Sequence, residues 1–382
     1  MKQNRTLLIQ LALFIVTIIT TTLTGAEWIF GNSFFFSSKP MGWEEFLTGF
    51  QYSIPFLGVL TVHEFGHYFV AKKHKTDVTL PYYIPLWLGG LSSTFGTMGA
   101  FIRIKERINS RVKYFDIGIA GPLAGFVAAL VVLWYGFSHL PSLDYVFELF
   151  PVLKQYGMEY GHFLETSPDY FSVKLGDSLL FSFFENYVAV GDLPNPYLYT
   201  NYPIIFAGYL SLFFTALNLF PIGQLDGGHI LYGLIGDKAF NIVSPILFTG
   251  FVFYAGLGTF NAHEFQTVDS EAFLDLLWKF VLYVVFNYLC FSRISEKLIT
   301  NWLITLSVIA IQLIITYFYP TVEGYSGFLA FGLMIGRFLG IYHPPTYDNQ
   351  PLTPGRKILG WIALLIFILC FTPKPFTIIQ NV

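Results

Sequence analysis

The sequence predicts an all-α polytopic membrane protein of about nine transmembrane helices, interrupted by one short re-entrant or β-strand segment. Three observations predict it. Of 382 residues, 54% are apolar and only 12% charged, about half the charged share of an ordinary soluble domain. Nine apolar stretches approach the roughly 20 residues that cross a hydrocarbon core: 6–25, 48–71, 114–138, 203–225, 241–259, 272–291, 301–319, 325–341 and 357–372. Basic residues also segregate by loop, as cytoplasmic loops collect lysine and arginine. With the N-terminus inside, 16 of the 21 basic residues fall on one side, among them the KKHK at 72–75 and the run 103–113. The loop 139–202 falls on the other side, with eight acidic residues against Lys154 and Lys174.

Each stretch has its reason. The first, within MKQNRTLLIQLALFIVTIITTTLTGA, reads as an uncleaved span; its basic start and small residues near Gly25 and Ala26 also fit a cleaved signal peptide. The second, 48–71, carries TVHEFGHYFV at its end. Residues 78–106 are apolar but hold Pro81, Pro85, Gly89, Gly90, Gly96 and Gly99, which disfavours a straight helix and favours strand or re-entrant backbone; an interfacial loop is the alternative. In the proline-punctuated loop 139–202, residues 174–188 read as an amphipathic helix. The chain therefore divides into a first span with its outer loop (1–47), a catalytic core (48–235) and C-terminal spans (236–382).

Composition excludes some classes. A net charge of −3 and a pI near 6.2 leave no basic face, so nucleic acid is not an expected partner. Cys290 and Cys370 sit in apolar runs without CxxC spacing, which excludes a disulfide framework or thiolate zinc site.

Chemistry is concentrated in HEFGH. His63 and His67 stand four apart, on one face of a helix, where two imidazoles can bind one metal ion. Glu64 beside them is a candidate base for a metal-activated water. Ionisable groups in a span cost about 2.5–3.5 kcal/mol each on insertion scales and are usually paired and functional. Interfacial or core-satisfied polar residues are the bland alternative. Catalytic zinc takes three protein ligands and an open position, so another segment must supply one more. Asp226, in NLFPIGQLDGGHI (218–230), is the only acidic residue in 203–235, and the charge-derived topology puts it at a similar depth. An Asp-Gly turn without a ligand role, or His229 as the ligand instead, are the alternatives. AHEF at 262–265 begins like the zinc motif, but position 267 is threonine.

HEFGH, FGTMGAFI, DIGIAGPLAGF (116–126) and NLFPIGQLDGG (218–228) together resemble the site-2 proteases, intramembrane zinc metalloproteases of the M50 type. The resemblance covers roughly residues 48–235. It implies one zinc ion held by His63, His67 and Asp226, with Glu64 as catalytic acid and base. It further implies that Asn218 polarises the scissile carbonyl and that 89–101 forms strands against which a single-span membrane-protein substrate lies extended in the lipid bilayer. The sequence departs from several members in having no room for a PDZ domain between the catalytic spans. The segment HPPTYDNQPLTPGRKILGW, 343–361, is similar to bacterial and plastid relatives, without an assignable chemistry. The N-terminus lacks a transit-type composition, so a bacterial plasma membrane, with the site towards the cytoplasm, is the expected location. A metal-ion transporter or an inactive scaffold are the rival functions; neither needs a base at Glu64.

Overall fold

The computed structural model describes residues 2–37, 40–166, 172–267 and 270–379. It is mostly helical with four short strands. Among the described residues, five helices are long and apolar enough to cross a membrane, beginning with those that end at Phe30 and Ser138. The remaining expected spans also form helices. Residues 48–71 lie on Phe50–Lys73 and 357–372 on Pro354–Cys370, while 203–225 and 325–341 give the shorter Pro203–Asn218 and Phe328–Leu339.

The chain forms two compact units. The first comprises Met1–Ile108, Asp116–Asn218 and Leu365–Val382. At its centre, Phe50–Lys73 packs against Pro203–Asn218, a helix buried on almost every face. The first helix, Lys2–Phe30, crosses both Phe50–Lys73 and a β-hairpin. Gly25 and Gly49 make that crossing possible, because a Cβ on either would meet the other helix's backbone or Tyr52 within 3.0 Å.

The glycine- and proline-rich segment is that hairpin: β1 (Tyr82–Leu86) pairs antiparallel with β2 (Gly96–Phe101), with an irregularity between Tyr83 and Pro85. Non-helical backbone among apolar spans survives only when its polar groups are met by protein or water. The first helix does this with a hydroxyl, an indole N–H and an amide. Thr20 donates to the Gly96 carbonyl (2.7 Å), Trp28 Nε1 to Thr94 (2.8 Å) and Gln10 to Leu80 (2.6 Å). Thr17, Thr21, Thr22 and Thr24 are all buried, so the TTTLT run is a bonding face and not lipid-facing filler. Gly96, at φ +82, sits where a Cβ would strike the backbone of Thr21.

In the loop 139–202, the expected amphipathic helix is shorter than 174–188. It spans Leu179–Tyr187, capped by Ser178 Oγ accepting from the Phe181 amide at 3.1 Å. Its expected first turn is instead β3 (Ser172–Leu175), paired antiparallel with β4 (Phe376–Ile379). Residues 167–171 of that loop lie outside the described residues.

The second unit comprises Asn109–Phe115 and Leu219–Leu364. Its helices include Asp226–Ile235, Asp237–Gly256, Ser270–Phe291, Leu298–Phe318 and Phe328–Leu339. The single Tyr283 hydroxyl proton is shared between the terminal carbonyl of Gly256 (3.1 Å) and Gln312 Oε1 (2.9 Å), while Gln312 Nε2 donates to Phe253 (2.8 Å). The frayed end of one apolar helix is thus closed by side chains of two others. Cys290 and Cys370 are free and buried, as packing residues.

Candidate metal centre

Phe50–Lys73 carries the HEFGH residues without interruption, so the four-residue spacing becomes a one-turn stack. His63, Glu64 and His67 are only 5%, 5% and 7% exposed. The Nε2 atoms of His63 and His67 face each other at 3.1 Å. His67 Nδ1 lies 2.7 Å from the carbonyl of Ile117; a carbonyl only accepts, so Nδ1 carries the proton and Nε2 presents a lone pair. An Nε2 lone pair facing a second imidazole nitrogen at this distance suits a shared cation. Glu64 Oε1 is 4.0 Å from His63 Nε2, beside the pair without displacing it.

The next helix shapes this pocket by what it omits. In Arg111–Ser138, a Cβ on Gly121 would collide with the His67 imidazole, and one on Gly125 would come within 3.0 Å of His63 Cβ. Gly66 answers from the HEFGH helix, where a Cβ would meet the Ala120 carbonyl at 2.6 Å. GPLAG is thus a small-xxx-small contact that lets two backbones approach closely enough for the Ile117 carbonyl to reach His67. In the sequence, the signal of this contact is the four-residue spacing of Gly121 and Gly125. His74 Nε2 and Asp116 Oδ2, 2.9 Å apart, pin the same two helices further along.

Asn218 is the last residue of Pro203–Asn218, and its Nδ2 lies 3.4 Å from His63 Nε2. A small cavity of about 30 Å³ beside these two is lined also by Val59, Gly99, Ser211 and Thr215; that is room for about one water molecule. Thr61 Oγ1 and Tyr83 hydroxyl, 2.8 Å apart, tie the HEFGH helix to β1.

The helix expected over 203–225 is shorter than the apolar stretch that predicts it. The helix stops at Asn218, seven residues turn through Pro221 and Gly223, and Asp226 opens a new helix, Asp226–Ile235. The residues explain the break: Pro221 cannot donate to the helical ladder and Gly223 adopts φ +59. Gly227 and Gly228 are buried against the carbonyls of Leu219 and Gly223, where no Cβ fits. Among the described residues, His63, His67 and Asp226 are a group that could hold a metal ion. His229 is not part of it; its Nδ1 pairs with His343 Nε2 at 2.8 Å. In the AHEF segment, His263 is bonded to the Tyr317 carbonyl.

Two nitrogens and a carboxylate form a donor set that suits zinc, and the glycine cradle leaves the imidazoles room to hold it. These features define an integral membrane protein with a zinc-type metal centre. The sequence model of Peptidase family M50 matches residues 51–257, more than half of the chain, and the chain belongs to that family. It is 30% identical over 190 residues to the probable zinc metalloprotease EGY1, chloroplastic, of Arabidopsis thaliana, covering 48% of this chain and 29% of that protein. It is 27% identical over 188 residues to the probable zinc metalloprotease EGY2, chloroplastic, of Oryza sativa subsp. indica, covering 49% of this chain and 30% of that protein. The chain thus spans about three tenths of these relatives. No solved structure matches.

Proposed function

We propose that this protein is an intramembrane zinc metalloendopeptidase of the site-2 protease kind, cutting a peptide bond in or near the transmembrane segment of a single-span membrane protein. The observation that carries this reading is the buried pair of His Nε2 atoms at 3.1 Å with the Glu64 carboxylate alongside. His63, His67 and Asp226 would hold the metal. Bound zinc supplies Lewis-acid polarisation and acidifies water. Glu64 then takes a proton from the attacking water and delivers it to the leaving amide nitrogen, so that a carboxylate and an amine are the products. Asn218 Nδ2 donates to the oxyanion as it develops; a buried donor of this kind acts strongly because little solvent competes. Ile117, through its carbonyl, keeps the His67 ring in the tautomer the reaction needs.

A substrate helix hides its carbonyls in its own hydrogen bonds, and must unwind before it can be cut. The β1–β2 hairpin offers strand edge on which the unwound stretch can replace those bonds. Helix-weakening residues near the cut are therefore expected in substrates. The first helix, whose hydroxyls hold the hairpin, is retained in the working protein. Nine spans with the N-terminus inside, and a site towards the cytoplasmic face of a bacterial plasma membrane, agree best with the distribution of charge. The core 48–235 carries the chemistry and 236–382 supplies further spans.

The test is zinc analysis of the purified protein together with cleavage of candidate single-span proteins, comparing the parent with Glu64→Gln. A variant that keeps stoichiometric zinc and loses cleavage supports the reading. Metal transport that continues unchanged in Glu64→Gln, with no cleavage by the parent, would establish a carrier instead.

A further inference from the structure

The segment 341–349, IYHPPTYDN, lies more than a hundred residues from Asp226 in sequence, yet it grips the chain on both sides of that residue. Upstream, Ser244 Oγ donates to the Ile341 carbonyl at 2.7 Å and accepts from the Gly223 amide at 3.0 Å. Gly340, at φ +95, presses its carbonyl against Gly223 where no Cβ fits. Downstream, His343 Nε2 meets His229 Nδ1 at 2.8 Å, and the His343 ring stacks on Tyr232 at 3.7 Å with an interplanar angle of 1°. Thr346 Oγ1 bonds to the Tyr232 hydroxyl at 2.6 Å and donates to Asn349 Oδ1 at 2.6 Å. Positions 223, 229 and 232 thus bracket position 226, all of them held by one distant segment.

The hydrogen bonds have a definite direction. His343 Nδ1 lies 2.7 Å from the Pro344 carbonyl and must donate to it. Burial, reinforced by the neighbouring His229, pushes the His343 ring down to about 3, so it is neutral at ordinary pH and its Nε2 accepts. His229 Nδ1 is then the donor. Pro344 and Pro345 fix φ and confine His343 to extended backbone, so the grip is stiff before it closes. The 109–111 strand of chain braces it from behind: the Arg111 amide donates to Asp348 (3.0 Å), the Asp348 amide to Asn109 (2.9 Å), and the Arg111 guanidinium to Gly233 (2.7 and 3.0 Å) at the far end of the Asp226 helix. Tyr114, in the first turn of the helix Arg111–Ser138, stacks on His229.

We propose that 341–349 is a clamp that sets the position of the Asp226 carboxylate for metal binding, with His343 as its positioning residue. The proposal rests on the reading of Asp226 as a zinc ligand. It gives the HPPT sequence a task that no chemistry of its own side chains supplies, because the segment contributes no ligand and acts through the helix it holds.

The experiment measures zinc dissociation from the full-length protein into a chromogenic chelator, alongside thermal unfolding of the zinc-free form. His343→Ala should release zinc about tenfold faster, the loss expected when a partner outside the ligand set is removed. His343→Gln, whose amide oxygen can accept from His229, should recover most of it. Thr346→Val, which keeps volume and removes a hydroxyl, should release zinc a few-fold faster while folding normally. Tyr347→Ala, 80% exposed in the same segment, should leave the rate unchanged. Adding His343→Ala to Asp226→Asn should produce no further acceleration, since the clamp has nothing left to position. Unchanged release in both His343→Ala and Thr346→Val, with Asp226→Asn accelerated, overturns the clamp and spares the ligand assignment. Unchanged release in Asp226→Asn overturns both.

Discussion

The HEFGH helix and the Asp226 helix hold their candidate ligands by opposite means. His63 and His67 belong to one continuous 24-residue helix, so their relation is set by helical pitch, and the neighbouring helix need only approach closely at Gly121 and Gly125. Asp226 opens a 10-residue helix, with Leu225 at its N-cap and no side-chain cap. Its position depends on glycines pressed into the preceding turn and on residues over a hundred positions away. The difference teaches that a short motif can be complete in its own backbone, whereas a third ligand placed after a helix break inherits its precision from tertiary contacts.

The largest effect that would break this comparison is catalytic. Glu64→Gln changes neither helix pitch nor glycine contact, so single-turnover cleavage should fall about 10²- to 10⁴-fold with zinc content unchanged by elemental analysis. Next is Asn218→Ala, which removes a donor at the end of the helix preceding the break. It should lower kcat about 10²- to 10³-fold with KM little altered, read from initial rates on a reconstituted substrate. On the histidine side, Gly121→Ala forces a Cβ into the His67 ring and should weaken zinc binding about 10- to 100-fold by competition titration. Gly58→Ala, on the HEFGH helix with open space around its Cβ position, should leave it unaltered. Equal affinities in the two variants would show that close backbone approach is not what holds His67. Hydrogen exchange sharpens the contrast further. In the zinc-free protein, amides of residues 62–69 should exchange only through the largest openings, and those of 224–230 at least about tenfold sooner through partial opening. Smallest is Thr20→Val, which leaves the Gly96 carbonyl without its side-chain partner and should cost about 1 kcal/mol in unfolding experiments.

How much was legible in the sequence follows the same division. HEFGH could be read because both its spacing and its chemistry are local, and the hairpin could be read because Pro85, Gly96 and Gly99 exclude a straight helix over a few residues. The helix break before Asp226 is visible in Pro221 and Gly223, but nothing local says that a new helix begins at Asp226. The pairing of β3 with β4 joins residues about 200 apart, and no pattern within four-residue strands announces a partner so distant. The Gly121 and Gly125 spacing was visible but mute, because a small-residue pair states that something comes close without saying what. HPPTYDN carries no local signal for the same reason: nothing in it points to Tyr232 or His229, more than a hundred residues away.

The bonds from the first helix to the hairpin have a consequence for regulation. Carbonyls of Leu80, Thr94 and Gly96 are held by side chains of a 29-residue helix, so swinging the hairpin aside would mean dragging that whole rod along or abandoning several bonds in an oily medium. Such a ledge stays put. On the proposed function, selection between one client and another would then move away from any opening and closing of the ledge and onto the client's own readiness to come uncoiled.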